Sequence, residues 1–389
     1  MSTSYSKTVS FVRSIYGSNF VPLHRPLFAG NEKRYLEECI DSNFVSSVGE
    51  KVSEFESQVA KFTNARFAIA TVTGTSALQV SLVLAGVEKS DEVITQALTF
   101  VATCNAISYC NASPVFVDVD RDTMGMSPAS LERFLGEFCE VRNGVTYNKK
   151  TGNKIKACVP MHTFGLPCRI NEILKICKVW NIPLIEDAAE SLGSFCGDQH
   201  TGTFGFSSAL SFNGNKIITT GGGGMILTDD ENVAKRAKHI TTTAKVPHAY
   251  EYSHDEIGFN FRLTNLSAAL GCAQMELLPR MLEIKERVAN QYYEFFNSIN
   301  WQFVLPLKNC RSNNWLNAII LGNKNERNEF LEYTNKNDVM TRPIWRLMSD
   351  LEMYRNCQND GLVNSKWLVD RVVNVPSSVP EAFENFSNE

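Results

Sequence analysis

Between residues 182 and 224 the chain carries two short apolar runs. The first, 182–187, ends on Glu186 and Asp187; the second, 209–212, follows a polar loop. Between that second run and the glycines 221–224 stands a single lysine, Lys216. A strand that is apolar along its length belongs inside an open α/β sheet covered on both faces, and such sheets bind ligands at the carboxyl ends of their strands. Asp187 falls at that end. Lys216, flanked by Asn213, Gly214 and Asn215, has little apolar cover of its own, so its amine is a candidate for chemistry rather than packing.

The rest of the chain extends this pattern. Val52, Phe55, Val59 and Phe62 recur at helical spacing and predict a helix over 50–63. Residues 66–71, 92–95, 114–119 and 155–160 read as further strands. Helices are expected over 77–85, over 169–180, and over 128–138, where Ser127 supplies an N-cap and Pro128 the first helical position. Strands alternating with helices imply parallel crossovers and a three-layer αβα sandwich with a mostly parallel sheet. Residues 142–154 have the turn residues and charge of an exposed hairpin. Pro279 is expected to kink a long helix over 266–298. From Trp301 the pattern changes to short strands, 314–321 and 339–343, around a helix at 326–336, as in a small α+β domain. The first 25 residues show no clear period. The expected division is therefore an N-terminal segment 1–25, a large domain 26–280 and a small C-terminal domain 281–389.

A formal charge of −4 over 389 residues gives no general attraction to nucleic acid or to an anionic membrane. No run approaches a membrane span, and the polar start MSTSYSK lacks a signal peptide's apolar centre, so a cytoplasmic protein is expected. The eleven cysteines are scattered and mostly sit in apolar runs, which reads as reduced core cysteines. Without CxxC, HExxH or a tight His/Cys cluster, no metal site is expected. The glycine-rich stretch fits neither a P-loop nor a dinucleotide fingerprint, because Lys216 is followed by Ile217 and the GxGxxG spacing is not completed.

A carboxylate paired with a distant reactive lysine is what pyridoxal 5'-phosphate demands: the amine holds the aldehyde, and the acid keeps the pyridine nitrogen protonated so that the ring accepts electrons. At Glu186-Asp187-Ala188-Ala189-Glu190, Ser211-Phe212-Asn213-Gly214-Asn215-Lys216 and Thr219-Thr220-Gly221-Gly222-Gly223-Gly224, the chain resembles the sugar aminotransferases of the DegT/DnrJ/EryC1/StrS family. These have the aspartate-aminotransferase fold, fold type I, and the likeness runs from about Pro26 to Pro380.

The resemblance implies a role for each of several residues. Lys216 is the Schiff-base lysine and proton shuttle, and Asp187 faces the ring nitrogen. Gly74, Thr75 and Ser76, joined by Ser211, hold the cofactor phosphate, and Phe100 stacks on the ring. Ser47, His162, Arg342 and Trp345 are candidates near the substrate or cofactor. Asn260 and Arg262 belong to a loop that crosses to the partner's phosphate in a homodimer with a shared active site. Plainer readings stand beside these: turns at Gly74 and Ser47, a core aromatic at Phe100, a structural histidine at 162, a polar loop at 258–265, and interdomain packing at Arg342 and Trp345.

Glu190 departs from the family, which has glutamine or histidine there near the cofactor's phenolic oxygen; a glutamate donates a hydrogen bond only when protonated. Gly222 or Gly223 stands where many relatives carry glutamate. Lysine rather than histidine at 216 favours transamination over sugar dehydration.

The implied reaction moves the amino group of L-glutamate to the keto carbon of a nucleotide-linked sugar. The spelling SFNGNKIITTGGGG resembles the branch that acts on UDP-4-keto-6-deoxy-N-acetylglucosamine, toward bacillosamine- or legionaminic-type sugars. GDP-4-keto-6-deoxymannose, as in perosamine synthesis, is the nearest competitor. A dehydratase or a non-catalytic regulatory relative on the same fold stands further off.

Overall fold

The structure is a computed structural model that describes residues 2–381. Its centre is a sheet in two joined parts. Strands Phe67–Thr71, Gly224–Thr228, Ser207–Ser211 and Ile185–Asp187 lie side by side in that order, and Ser113–Val117, Glu92–Gln96 and Ile155–Val159 form a second, wholly parallel set. Parallel bridges from Cys158 to Leu184 and from Met161 to Asp187 join the two sets. Only Gly224–Thr228 runs antiparallel to its neighbours, so the sheet is mostly parallel, as expected.

Strand alternation sends side chains to opposite faces. Ile69, Ala209 and Ile226 pack with Ala77 and Val80 of helix Gly74–Leu84, Ala106 of Val101–Tyr109 and Ala237 of Glu231–Thr241. On the other face, Ala70, Leu210 and Met225 meet Phe55 and Val59 of Glu50–Thr63 and Cys272 of Asn265–Ser298. At the far end, Ile94, Val115 and Cys158 meet helices Pro128–Phe138 and Ile170–Val179. These are the three layers. The charged stretch after residue 138 is a hairpin, Cys139–Arg142 with Val145–Asn148.

A smaller antiparallel sheet of Gln302–Phe303, Asn317–Ile320, Val372–Val375 and Arg342–Pro343 follows. The segment without a clear period contains a helix, Ser2–Tyr16, whose Tyr5, Val9 and Val12 share a core with Tyr292, Phe330 and Val373. The N-terminal helix is thus packed with the C-terminal elements. Helix Asn265–Ser298 contains Pro279 and runs straight through the division expected at residue 280. No helix among the described residues is long and apolar enough to cross a membrane.

Candidate active site

The loops that leave the carboxyl ends of the central strands, together with residues of the small sheet, enclose a cavity of about 520 Å³. Asp187 ends its strand on the cavity wall with 2% of its surface exposed. Its Oδ2 accepts a 2.6 Å hydrogen bond from the Thr103 hydroxyl, and its Oδ1 accepts from the Ala189 amide at 3.2 Å. Burial raises the pKa of this carboxyl, while Thr103, the Ala189 amide and Lys216 pull it back down. An anion so placed is stabilised by a cation delivered into the cavity.

Lys216 also lines the cavity. Its Nζ donates to Glu190 Oε1 at 3.2 Å and lies 4.1 Å from the centre of the Trp315 ring. The other Glu190 oxygen accepts from the Phe164 amide at 2.9 Å. Burial pushes the Glu190 carboxyl up to about 7 despite the attraction of Lys216. The residue that departs from the family pattern is therefore the direct partner of the lysine.

The turn between strand Phe67–Thr71 and helix Gly74–Leu84 forms the opposite wall. Thr73 caps the helix by accepting from the Ser76 amide at 3.0 Å and its carbonyl accepts from the Ala77 amide, so the Gly74 and Thr75 amides are those of the first turn left for a ligand, where the helix dipole favours an anion. Close approach explains the glycines. A Cβ on Gly74 would lie 2.8 Å from that of Ser211, and one on Gly224 would lie 2.3 Å from the Thr73 carbonyl oxygen. Gly74, Thr75 and Ser211 face the cavity. Ser76 does not: its hydroxyl is 2.8 Å from that of Thr73, so Thr73 takes its place on the wall.

Phe100 caps the next helix, is 48% exposed, and lies 6.2 Å from Trp345, which in turn packs 4.9 Å from Phe164. Phe100 is therefore not a core aromatic. Arg342 reaches the same cavity from the small sheet and is tethered to Asn335 Oδ1 at 3.1 Å.

Four sequence candidates lie elsewhere. His162 is wholly buried, with Nε2 3.0 Å from Glu186 and Nδ1 accepting from the Cys168 amide, so both ring nitrogens are used by the protein. Its reading as a substrate contact gives way to a structural one. Ser47 is half-buried in the loop before helix Glu50–Thr63, and Asn260 and Arg262 are exposed and hydrogen-bonded to each other at 2.9 Å. None of these lines this chain's cavity. His239, Asp255 and Glu256 bring potential metal-ligating atoms within 4.8 Å, but Arg236 pairs with both Glu256 oxygens, which marks an ion-pair network.

The residues present fit pyridoxal phosphate. The cavity offers one amine, a buried carboxyl with no ion-pair partner among the described residues, a helix start cleared of Cβ atoms for an anionic group, and a half-exposed ring beside the opening. Thr73, Thr103, Phe164 and Trp315 complete the site without having been singled out by the sequence. Only Thr103, three residues after Phe100 on a helix start, carried a usable signal.

The model of the DegT/DnrJ/EryC1/StrS aminotransferase family matches residues 27–384. The chain is 34% identical over 370 residues to the GDP-perosamine synthase of Escherichia coli O157:H7, covering 95% of each chain. It is 31% identical to that of Vibrio cholerae, covering 92% of this chain and 94% of the other. A crystal structure of a DegT DnrJ EryC1 StrS aminotransferase from Brucella abortus superposes with a TM-score of 0.81 at 25% identity, covering 91% of this chain and 92% of that one.

Proposed function

Because the chain belongs to the DegT/DnrJ/EryC1/StrS aminotransferase family, we propose that it moves the amino group of L-glutamate to the C4 keto carbon of GDP-4-keto-6-deoxymannose. It is a sugar aminotransferase that works with pyridoxal phosphate. The observation that carries the reading is the convergence of Lys216, Glu190 and Asp187 on one cavity at the carboxyl ends of the strands. The spelling around Lys216 points to a UDP-linked N-acetylated sugar; the relatives named GDP-perosamine synthase favour the GDP sugar over it.

When bound, the cofactor supplies an aldehyde that takes up the amino group and a ring that accepts electrons from the adjacent carbon. Asp187, steadied by Thr103 and the Ala189 amide, holds its charge where a ring nitrogen keeps its proton. Gly74 and Thr75 amides and the Thr75 and Ser211 hydroxyls bind the phosphate. Lys216 Nζ carries the proton between carbon centres, and Glu190, 3.2 Å away, takes or returns a proton at that amine. Phe100 and Trp345 cover the site, and Arg342 offers charge to a diphosphate. In this proposal the protein is a cytoplasmic homodimer in which Ser47, Asn260 and Arg262 serve the partner's site.

The test is to incubate the purified protein with 15N-glutamate and each keto sugar in turn and to weigh the products. Conversion of the GDP sugar to its labelled amino product is expected. Turnover of the UDP sugar alone would restore the other substrate, and turnover without label transfer would point to a dehydratase.

A further inference from the structure

Lys285, in helix Asn265–Ser298, is 2% exposed, yet no carboxylate among the described residues pairs with it. Its Nζ is 3.2 Å from His24 Nε2 and donates to the Trp315 carbonyl at 3.3 Å and to the Ser377 carbonyl. Three segments far apart in sequence thus converge on one amine. Burial pushes this amine down to about 7. A lysine without an anion is costly in such a place and persists only where its neighbours depend on it.

Those neighbours lead to Lys216 through Trp315. The Trp315 indole N–H donates to the Asn215 carbonyl at 2.6 Å, and the face of the same ring carries the Lys216 amine. His24 is half-buried, its Nδ1 has no hydrogen-bond partner among the described residues, and its ring lies 6.4 Å from that of Trp315; burial and the nearby Lys285 and Lys216 amines hold its pKa well below the ordinary histidine value. Asn215 is the residue before Lys216. Both the main chain and the indole of Trp315 are therefore held: one by Lys285, the other by Asn215.

We propose that Lys285 is a positioning residue which, with His24 beside it, holds Trp315 so that the indole fixes the Asn215 carbonyl and aims the Lys216 amine into the cavity. Lys285 itself does not line the cavity. The inference rests on the reading of the site as one for pyridoxal phosphate.

The test compares two ligands on cofactor-free protein. Pyridoxal phosphate bonds to Lys216 with loss of water and gives a visible absorption band; pyridoxine phosphate lacks the aldehyde and binds only through ring and phosphate. Lys285→Met is expected to slow the appearance of the band about 10- to 100-fold, as small misplacements of a reacting group do, while pyridoxine phosphate affinity stays within about twofold. His24→Phe should behave alike, and the double variant should be no slower than the slower single one, since both act through Trp315. If Lys285→Met fails to fold, His24→Phe carries the same expectation, and Trp315→Phe, which keeps a ring over Lys216 but removes its N–H, should likewise slow the band. Wild-type rates in folded variants, equal loss of both ligands, or multiplying effects would overturn the inference. Failure of the wild type to form the band would instead overturn the cofactor reading.

Discussion

Replacing Glu190 with glutamine isolates the group that most distinguishes this site. Glu190 is 3% exposed, and burial lifts its carboxyl from an ordinary 4.5 to about 7 even with Lys216 and the Phe164 amide favouring the charged form. The folded chain therefore holds this proton more tightly than the unfolded one. The stability so gained is full below about pH 4.5 and is lost as the pH rises through about 7. The whole effect is worth about 3 kcal/mol, of which about 2.5 kcal/mol falls between pH 5 and pH 8. Glutamine has no proton to lose, and its amide oxygen still accepts from Phe164. The stability of Glu190→Gln relative to wild type should therefore improve by about 2.5 kcal/mol between those two pH values. Urea unfolding of both cofactor-free proteins, followed by tryptophan fluorescence, measures this, and the subtraction removes what Asp187 and other shared groups contribute. A constant offset, flat to within about 0.5 kcal/mol, would refute the reasoning: Glu190 would then titrate as in the unfolded chain, with Lys216 fully offsetting its burial.

Further outcomes can be checked separately. Lys216→Ala should lose the cofactor absorption band near ~420 nm and transaminase activity together, while an unchanged band would move the reactive amine elsewhere. Thr103→Val removes the 2.6 Å hydrogen bond that holds the Asp187 carboxyl down, so that carboxyl rises further. Cofactor affinity should drop about tenfold, and its acid limb should move to higher pH in a titration followed by absorbance; an unshifted limb would detach Asp187 from cofactor binding. Cys196 and Cys310 oppose each other across paired strands with sulfurs 3.1 Å apart, beside the Gly197 amide to Asn309 carbonyl bond that makes this the closer kind of antiparallel pair. Oxidised glutathione should join these two before any others of the eleven, as peptide mapping would show.

The sequence was most legible where one local rule decided the outcome. Apolar strands ending in an acid, helical spacing at Val52, Phe55 and Val59, and the Ser127-Pro128 start each specify an element without outside help, and the elements formed. Helix Ser2–Tyr16 was hidden because its buried stripe of Tyr5, Val9 and Val12 is diluted by serines and threonines; its partners, Tyr292 and Phe330, lie some three hundred residues away. The division at residue 280 failed to mark a break for a related reason: Pro279 lies inside a helix that packs on the large core at Cys272 and on the small one at Tyr292.

The same distinction separates the legible part of the site from the hidden part. Asp187 and Ser211 end strands, and Gly74 and Lys216 lie in the turns that leave strand ends, so the sheet brings all four together and motif and position agree. Trp315 reaches the site only because the small sheet folds over the large one, and Lys285 matters only through Trp315. Their roles depend on one contact between two layers, which no local spacing encodes. Glu190 shows the opposite case: it was visible in the sequence as a departure, but its meaning needed the 3.2 Å distance to Lys216. A carboxyl there is not a failed glutamine. Burial holds it close to neutrality, so it can give or take a proton beside the amine on which the chemistry turns.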